Sequence, residues 1–120
     1  MATILIVDDD RVVSQLVAGL LRDKGHKILT AYDAVHGLMQ AMRTPPVDAI
    51  VLDINMPGGS GEETLKKLKM STRTSDIPVI ILSGSIDAKG QERVRLGGAA
   101  AVLSKPVVPE ELLQALAAAL

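Results

Sequence analysis

The sequence contains no cysteine, phenylalanine or tryptophan, and Tyr32 is its only aromatic residue. Without cysteine, the chain can form no disulfide, no catalytic thiolate and no cysteine-ligated zinc site. Without large aromatic rings, its core must be built from leucine, isoleucine, valine, alanine and methionine.

The chain also lacks an excess of either charge, since 13 Lys and Arg oppose 14 Asp and Glu among its 120 residues. A domain without a basic excess has no electrostatic hold on a phosphate backbone, so we expect no direct binding of nucleic acid. Its hydrophobic runs are too short to span a bilayer, and the opening aliphatic run is too short for a secretion signal. We therefore expect a cytoplasmic protein that binds no membrane and forms one domain with one core.

Short aliphatic runs alternate five times with helical patterns, which is typical of a βαβ protein with a parallel sheet. Aliphatic runs bounded by polar or turn residues predict buried parallel strands. The predicted strands cover residues 3–7, 27–31, 49–53, 79–82 and 100–103.

Capping and breaking residues mark the helices between these strands. Asp10 and Asp33 are predicted N-caps of the first two helices, which end before Gly25 and before the Pro45-Pro46 pair. The other three are predicted over 61–70 with a Ser60–Glu63 capping box, over 87–96 with Gly90 inside, and from Pro109 onward. The apolar positions expected to face the core are Val13, Leu16, Val17, Leu20 and Leu21, then Val35, Leu38, Met39 and Met42, then Leu112, Leu113, Leu116 and Leu120.

Polar residues with matching chemistry follow four of the five strands. Asp8 and Asp9 follow the first strand, Asp53 ends the third, Ser83 closes the fourth and Lys105 follows the fifth. In an open parallel sheet, ligands bind beyond the carboxyl ends of the strands, so these groups should share one crevice. Clustered carboxylates resist ionising together unless a cation lies among them, and Mg²⁺ is usually held by one or two carboxylates plus a phosphate. The pattern predicts a site for a divalent metal and a phosphoryl group.

Taken singly, each of these residues has a simpler role. An isolated Asp53 would cap a loop, Ser83 would cap a helix or turn, and Lys105 would be a solvated surface charge. Together they favour a functional site, because carboxylates can form aspartyl phosphates and a lysine point charge suits a phosphoryl oxygen. Asn55 and Ser85 lie one loop position further out, where they could flank an attacking water.

Five segments carry a resemblance that covers the whole chain: Ile4-Leu5-Ile6-Val7-Asp8-Asp9, Leu52-Asp53-Ile54-Asn55-Met56-Pro57 with Gly61, Pro78-Val79-Ile80-Ile81-Leu82-Ser83, Gly98-Ala99 and Leu103-Ser104-Lys105-Pro106. With these segments the chain resembles a response-regulator receiver domain. The resemblance implies a flavodoxin-like (βα)5 α/β fold, with one five-stranded parallel sheet of order 2-1-3-4-5 and helices on both faces. It also implies a single receiver domain over residues 1–120.

The resemblance further implies a phosphoacceptor of two-component signalling rather than an enzyme with an external substrate. Asp53 would accept a phosphoryl group from the phosphohistidine of a histidine kinase or a histidine phosphotransfer protein, and the resulting change would control a partner or output domain. Ser83 and Lys105 would bind the phosphoryl oxygens. The implied Mg²⁺ ligands are Asp9, Asp53 and the backbone carbonyl of Asn55, with Asp8 acting largely through water.

Val102 departs from the family pattern, in which an aromatic residue usually stands three positions before the lysine. In the family that ring reorients as the serine or threonine moves toward the phosphoryl group, and it passes the signal to the surface of the fourth helix, fifth strand and fifth helix. Phosphoacceptor chemistry needs no aromatic ring. The departure therefore concerns the output switch and leaves Asp53 unaffected.

Three other functions compete with this interpretation. An aspartate-nucleophile phosphatase needs an acid two residues after the nucleophile, where this chain has Asn55. A flavodoxin-type FMN site needs a first loop that cradles phosphate, which Asp8 to Asp10 would repel. An interaction module that is never phosphorylated would not need Asp53, Ser83 and Lys105 together, and a phosphodonor assay would decide.

Overall fold

The computed structural model describes residues 1–56 and 61–120. Within them, five strands alternate strictly with five helices, as the hydrophobic pattern predicts. In chain order the elements are β1 (Thr3–Val7), α1 (Arg11–Arg22), β2 (Lys27–Ala31), α2 (Ala34–Ala41), β3 (Ala49–Asp53), α3 (Gly61–Met70), β4 (Val79–Ser83), α4 (Ala88–Leu96), β5 (Ala101–Ser104) and α5 (Pro109–Ala119).

The strands form one parallel sheet in the order β2-β1-β3-β4-β5, which confirms the expected fold. The register aligns the carboxyl ends of the strands, with Asp53 opposite Leu82 and Ser83 opposite Ser104. The last two strands each end one residue later than predicted, because Ser83 and Ser104 still pair in the ladder. This alignment brings the polar residues that follow the strands to one edge of the sheet.

Side chains that alternate along the central strands feed two aliphatic cores, one on each face of the sheet. On one face the buried positions include Leu5, Ile50, Leu52 and Ile81, together with α3 and α4 residues. On the other face they include Ile4, Ile6, Val51 and Ile80, together with α1 and α5 residues. Strands covered on both faces are buried along their whole length, which explains their nearly continuous aliphatic sequences.

Aspartate side chains cap the first two helices as predicted. Asp10 accepts hydrogen bonds from the backbone N–H groups of Val12 and Val13, and Asp33 accepts one from His36. The predicted Ser60–Glu63 capping box lies outside the described residues. No helix in the described parts of the chain is long and apolar enough to cross a membrane.

Part of the predicted helix burial is wrong, since Leu16, Val35, Met39 and Leu120 are exposed. Small residues take several of the sheet-facing positions instead. These are Ser14 and Ala18 on α1 and Gly37 and Ala41 on α2. A Cβ at Gly37 would lie 2.8 Å from the Val7 side chain, so α2 packs too closely on β1 for a larger residue. Leu16, Val35 and Met39 therefore lie on the flanks of the buried stripes, whereas Val17 and Leu21 are buried in the core as predicted.

Candidate functional site

The ends of four strands build the candidate site at one edge of the sheet. Asp8 follows β1, Asp53 ends β3, Ser83 ends β4 and Lys105 follows β5. Asp8, Asp53 and Ser83 are at most 2% exposed, although all three are polar. A buried polar group is costly unless it is paired, so the partners of these side chains define the chemistry of the site.

Three carboxylates lie close enough to share a cation. One ligand atom from each of Asp8, Asp9 and Asp53 falls within 4.8 Å of the other two, and Asp9 is exposed to solvent. Mg²⁺ prefers oxygen ligands and keeps several waters, so two buried carboxylates and one exposed carboxylate suit it. The donor set therefore fits the metal expected from the sequence. That the Asn55 carbonyl joins the ligands stays a prediction.

The Lys105 ammonium bridges the two buried acids. Its Nζ lies 3.1 Å from Asp8 Oδ2 and 3.5 Å from Asp53 Oδ2, while its backbone N–H donates to the Ser83 carbonyl at 2.8 Å. Burial opposes the charge of Lys105, but the neighbouring carboxylates outweigh burial and raise the pKa of its ammonium above the ordinary value. Lys105 is thus held as a cation beside one carboxylate oxygen of Asp53.

Asp8 is the electrostatically unfavourable member of the cluster. Burial raises the pKa of its carboxyl above the ordinary value, and the charge of Asp53 adds to that increase. The backbone N–H of Asp10, 2.9 Å from Asp8 Oδ1, and the Lys105 ammonium oppose the shift without cancelling it. One ammonium does not fully compensate two buried carboxylates, so the site favours an additional cation.

The loop after β3 connects the Asp53 carboxylate to β4 through two hydrogen bonds. The backbone N–H of Asn55 donates to Asp53 Oδ1 at 3.0 Å, and the Ser83 hydroxyl donates to Asn55 Oδ1 at 3.0 Å. The sequence predicts that the Asn55 backbone carbonyl is a Mg²⁺ ligand and that Asn55 flanks an attacking water. It does not predict the contact of the Asn55 side chain with Ser83. The only sequence signal for this contact is that Asn55 stands two residues after Asp53.

The structure also places Ser85 and Val102, two further residues that the sequence analysis discusses. Ser85 and Asn55 both line a polar cavity of about 540 Å³ beyond the ends of β3 and β4. Val102, on β5, is partly buried against the core shared with α3 and α4. An aliphatic side chain therefore occupies the position where the family pattern has an aromatic ring.

Residues 4–117 match the family model described as the response regulator receiver domain. The chain belongs to this family. Its fold is similar to that of the Vibrio cholerae chemotaxis protein CheY4, with a TM-score of 0.91, 32% sequence identity and coverage of 100% of this chain and 99% of that one. Protein PilH of Pseudomonas aeruginosa is 35% identical over 120 residues, which are all of this receiver domain and 98% of PilH.

Other relatives are much longer than this receiver domain. The phosphate regulon transcriptional regulatory protein PhoB of Escherichia coli is 35% identical over 114 residues, 92% of this chain but 48% of PhoB. The sensory/regulatory protein RpfC of Xanthomonas campestris is 33% identical over 115 residues, which are 16% of RpfC. Because PhoB is a transcriptional regulator, the expectation that no nucleic acid is bound stays a prediction for this receiver domain.

These matches place the receiver domain in two-component signalling, in a family where aspartate phosphorylation and Mg²⁺ binding are typical. The family resemblance carried by the sequence motifs and the expected fold are both confirmed. The domain is therefore a signalling domain.

Proposed function

We propose that Asp53 is the phosphoacceptor and that, with Mg²⁺, it takes a phosphoryl group from the phosphohistidine of a histidine kinase or a histidine phosphotransfer protein. The arrangement of the Asp53 carboxylate carries this proposal. One of its oxygens accepts the Asn55 N–H at 3.0 Å, and the other faces Lys105 Nζ at 3.5 Å. A carboxylate that is buried, oriented at both oxygens and next to a fixed cation is placed to act as a nucleophile.

In the proposed transfer, an Asp53 carboxylate oxygen attacks the phosphorus atom of the phosphohistidine. A P–O bond forms while the P–N bond breaks, and the electron pair of the P–N bond stays on the imidazole nitrogen. If the other ring nitrogen carries a proton, the imidazole leaves neutral and no acid has to protonate it. Asn55, at the position where aspartate-nucleophile phosphatases have their acid, is therefore sufficient here.

Charge stabilisation is the main contribution of the surrounding residues. The Lys105 ammonium already lies between Asp8 and Asp53, so it can pair with a phosphoryl oxygen on Asp53 without a large movement. Mg²⁺, held by Asp8, Asp9 and Asp53, would neutralise the charge of the phosphoryl group as it transfers. Ser83 would donate a hydrogen bond from its hydroxyl to a phosphoryl oxygen.

An apolar groove next to Lys105 suits the phosphodonor protein. It lies between α1 and the segment after β5 and has a volume of about 380 Å³. Its lining consists of Val13, Leu16, Val17, Leu20, Lys105, Pro106, Val107 and Pro109. Since Lys105 lines the groove and also contacts Asp53, a donor whose histidine reaches Asp53 comes close to this groove, and we propose that an apolar helix face of the donor packs into it. We also propose that residues 1–120 form one cytoplasmic domain that controls a partner or output domain.

Labelling with a small phosphodonor tests the assignment of Asp53. The protein is incubated with acetyl phosphate or phosphoramidate, and intact mass is recorded with Mg²⁺ and with EDTA. We expect one phosphoryl group per chain with Mg²⁺, and loss of labelling in EDTA and in Asp53→Asn.

Asp23→Asn is the matched control, because Asp23 is an exposed aspartate at the end of α1. It should be labelled like the wild type. Equal labelling of Asp53→Asn would overturn the assignment and favour a module that is not phosphorylated at this site.

A further inference from the structure

The Ser83 hydroxyl already has a hydrogen-bond partner before any phosphoryl group arrives. Ser83 is 2% exposed, and its Oγ donates to Asn55 Oδ1 at 3.0 Å. A serine hydroxyl carries one proton, and an amide oxygen can only accept, so this bond uses the only proton that Ser83 can donate. Ser83 therefore cannot donate to a phosphoryl oxygen while this bond persists.

Asn55 is fixed in position by the same carboxylate that would be phosphorylated. Its backbone N–H donates to Asp53 Oδ1 at 3.0 Å, so one residue contacts Asp53 through its main chain and Ser83 through its side chain. The side chain of Asn55 also borders the polar cavity beyond β3 and β4, where its amide could turn toward solvent. The contact with Ser83 can thus break without leaving a buried amide unpaired.

We infer that Asn55 is a positioning residue whose side-chain oxygen competes with the phosphoryl group for the Ser83 hydroxyl. This inference rests on the proposed function of Asp53. A hydrogen bond to a charged oxygen is roughly twice as strong as one to a neutral amide, so the phosphoryl group wins the competition. The Asn55 contact stabilises the unphosphorylated orientation of Ser83, and it lowers the affinity of the site for a phosphoryl group.

A double-mutant cycle on Asn55→Ala and Ser83→Ala measures this competition. The probe is beryllofluoride at saturating Mg²⁺, and its dissociation constant is measured by ¹⁹F NMR or calorimetry for the wild type, both single variants and the double variant. Asn55→Ala should favour beryllofluoride binding more when Ser83 is present than in the Ser83→Ala background. The difference should be roughly two- to tenfold, as expected for one net hydrogen bond.

The cycle separates competition from other roles of Asn55. A direct contact between Asn55 and beryllofluoride would weaken binding equally in both backgrounds. If the two effects are equal, or if Asn55→Ala is more harmful with Ser83 present, the inference is wrong. If beryllofluoride fails to bind the wild type, or binds Asp53→Asn equally well, the proposed function fails first and the inference fails with it.

A second measurement does not depend on affinity. The side-chain amide resonances of Asn55 should shift when beryllofluoride binds the wild type, and this shift should be much smaller in Ser83→Ala. Ser104→Ala is the matched control, because Ser104 is an exposed serine at the end of the neighbouring strand β5. It should leave both the shift and the effect of Asn55→Ala unchanged, and a control that behaves like Ser83→Ala would contradict the inference.

Discussion

The centre of the sheet and its β5–α4 side are built very differently. Every residue of β3 and β4 is buried, whereas all four residues of β5 keep some exposure. Helix α4 buries Gly90 and Val94, while α1 buries four residues. Asp53 and Ser83 thus lie at the ends of the two fully buried strands, β3 and β4. Helix α4 buries far fewer of its own residues.

Polar contacts cap α4 and join it to α3. Asp87 caps the helix through the Gly90 N–H, and the Arg93 guanidinium pairs with Glu62 on α3 at 3.0 and 3.2 Å. Such exposed ion pairs are weak in water. Elements with few buried apolar contacts have low local stability, so α4 can rearrange without disturbing the strands that hold Asp53 and Ser83.

The largest expected effect comes from truncating the packed centre. Ile81 on β4 is completely buried, so Ile81→Ala should lower the free energy of unfolding by about 2 to 5 kcal/mol through lost burial and a residual cavity. Leu96→Ala on α4 removes a comparable aliphatic side chain that is 83% exposed, and it should change stability by less than about 0.5 kcal/mol. Urea denaturation of both variants measures the contrast, and similar losses would show that α4 is as tightly packed as the sheet.

The next largest expected effect is on the pH dependence of stability, and it comes from the charge on Asp8 at the end of β1. The raised pKa means that the folded chain holds this proton more tightly than the unfolded chain, so stability falls as pH rises from the ordinary value of 3.8 through the raised value. Asp8→Asn keeps the shape and the acceptor for the Asp10 N–H but removes the charge. In metal-free buffer at neutral pH it should unfold at a higher urea concentration than the wild type.

Two further measurements check this prediction. The advantage of Asp8→Asn should shrink as the pH falls through the raised pKa toward 3.8, below which Asp8 is protonated in both the folded and the unfolded chain. Added Mg²⁺ should raise the melting temperature of the wild type more than that of Asp8→Asn, because a ligand stabilises the state that binds it. A less stable Asp8→Asn protein at neutral pH without metal would mean that the Lys105 ion pair outweighs the burial of Asp8.

The sequence predicts the strands and the residues at their ends better than it predicts the rotation of the helices and the partners of side chains. Strands buried on both faces are continuous aliphatic runs, and a parallel sheet brings their ends together, so Asp8, Asp53, Ser83 and Lys105 follow from pattern and topology. Helix α2 is turned so that Gly37 packs closely on Val7, so hydropathy alone does not predict that Met39 is exposed. Side-chain partners depend on loop geometry and rotamers, so the sequence pattern does not predict the Asn55–Ser83 hydrogen bond.

The smallest expected effect is a local response of α4 to a phosphoryl analogue. With Mg²⁺ and beryllofluoride bound, amide hydrogen exchange should change in residues 84–90 and in the rest of α4, while the amides of β3 and β4 stay unchanged. A Ser83 hydroxyl that turns to the bound group pulls on Gly84, which follows β4 directly. Val102 is β-branched and stiff at χ1, so it cannot swing a ring between buried and exposed positions.

Two variants locate the origin of this response. Asp53→Asn should show no exchange change on addition of the same reagents, because the group that binds beryllofluoride is altered. Arg93→Gln removes the ion pair to Glu62, so α4 should exchange faster even without ligand, while the melting temperature stays close to that of the wild type. Unchanged protection of residues 84–96 in wild-type protein with beryllofluoride bound would contradict a relay through α4, and partners would then have to recognise the region around Asp53 directly.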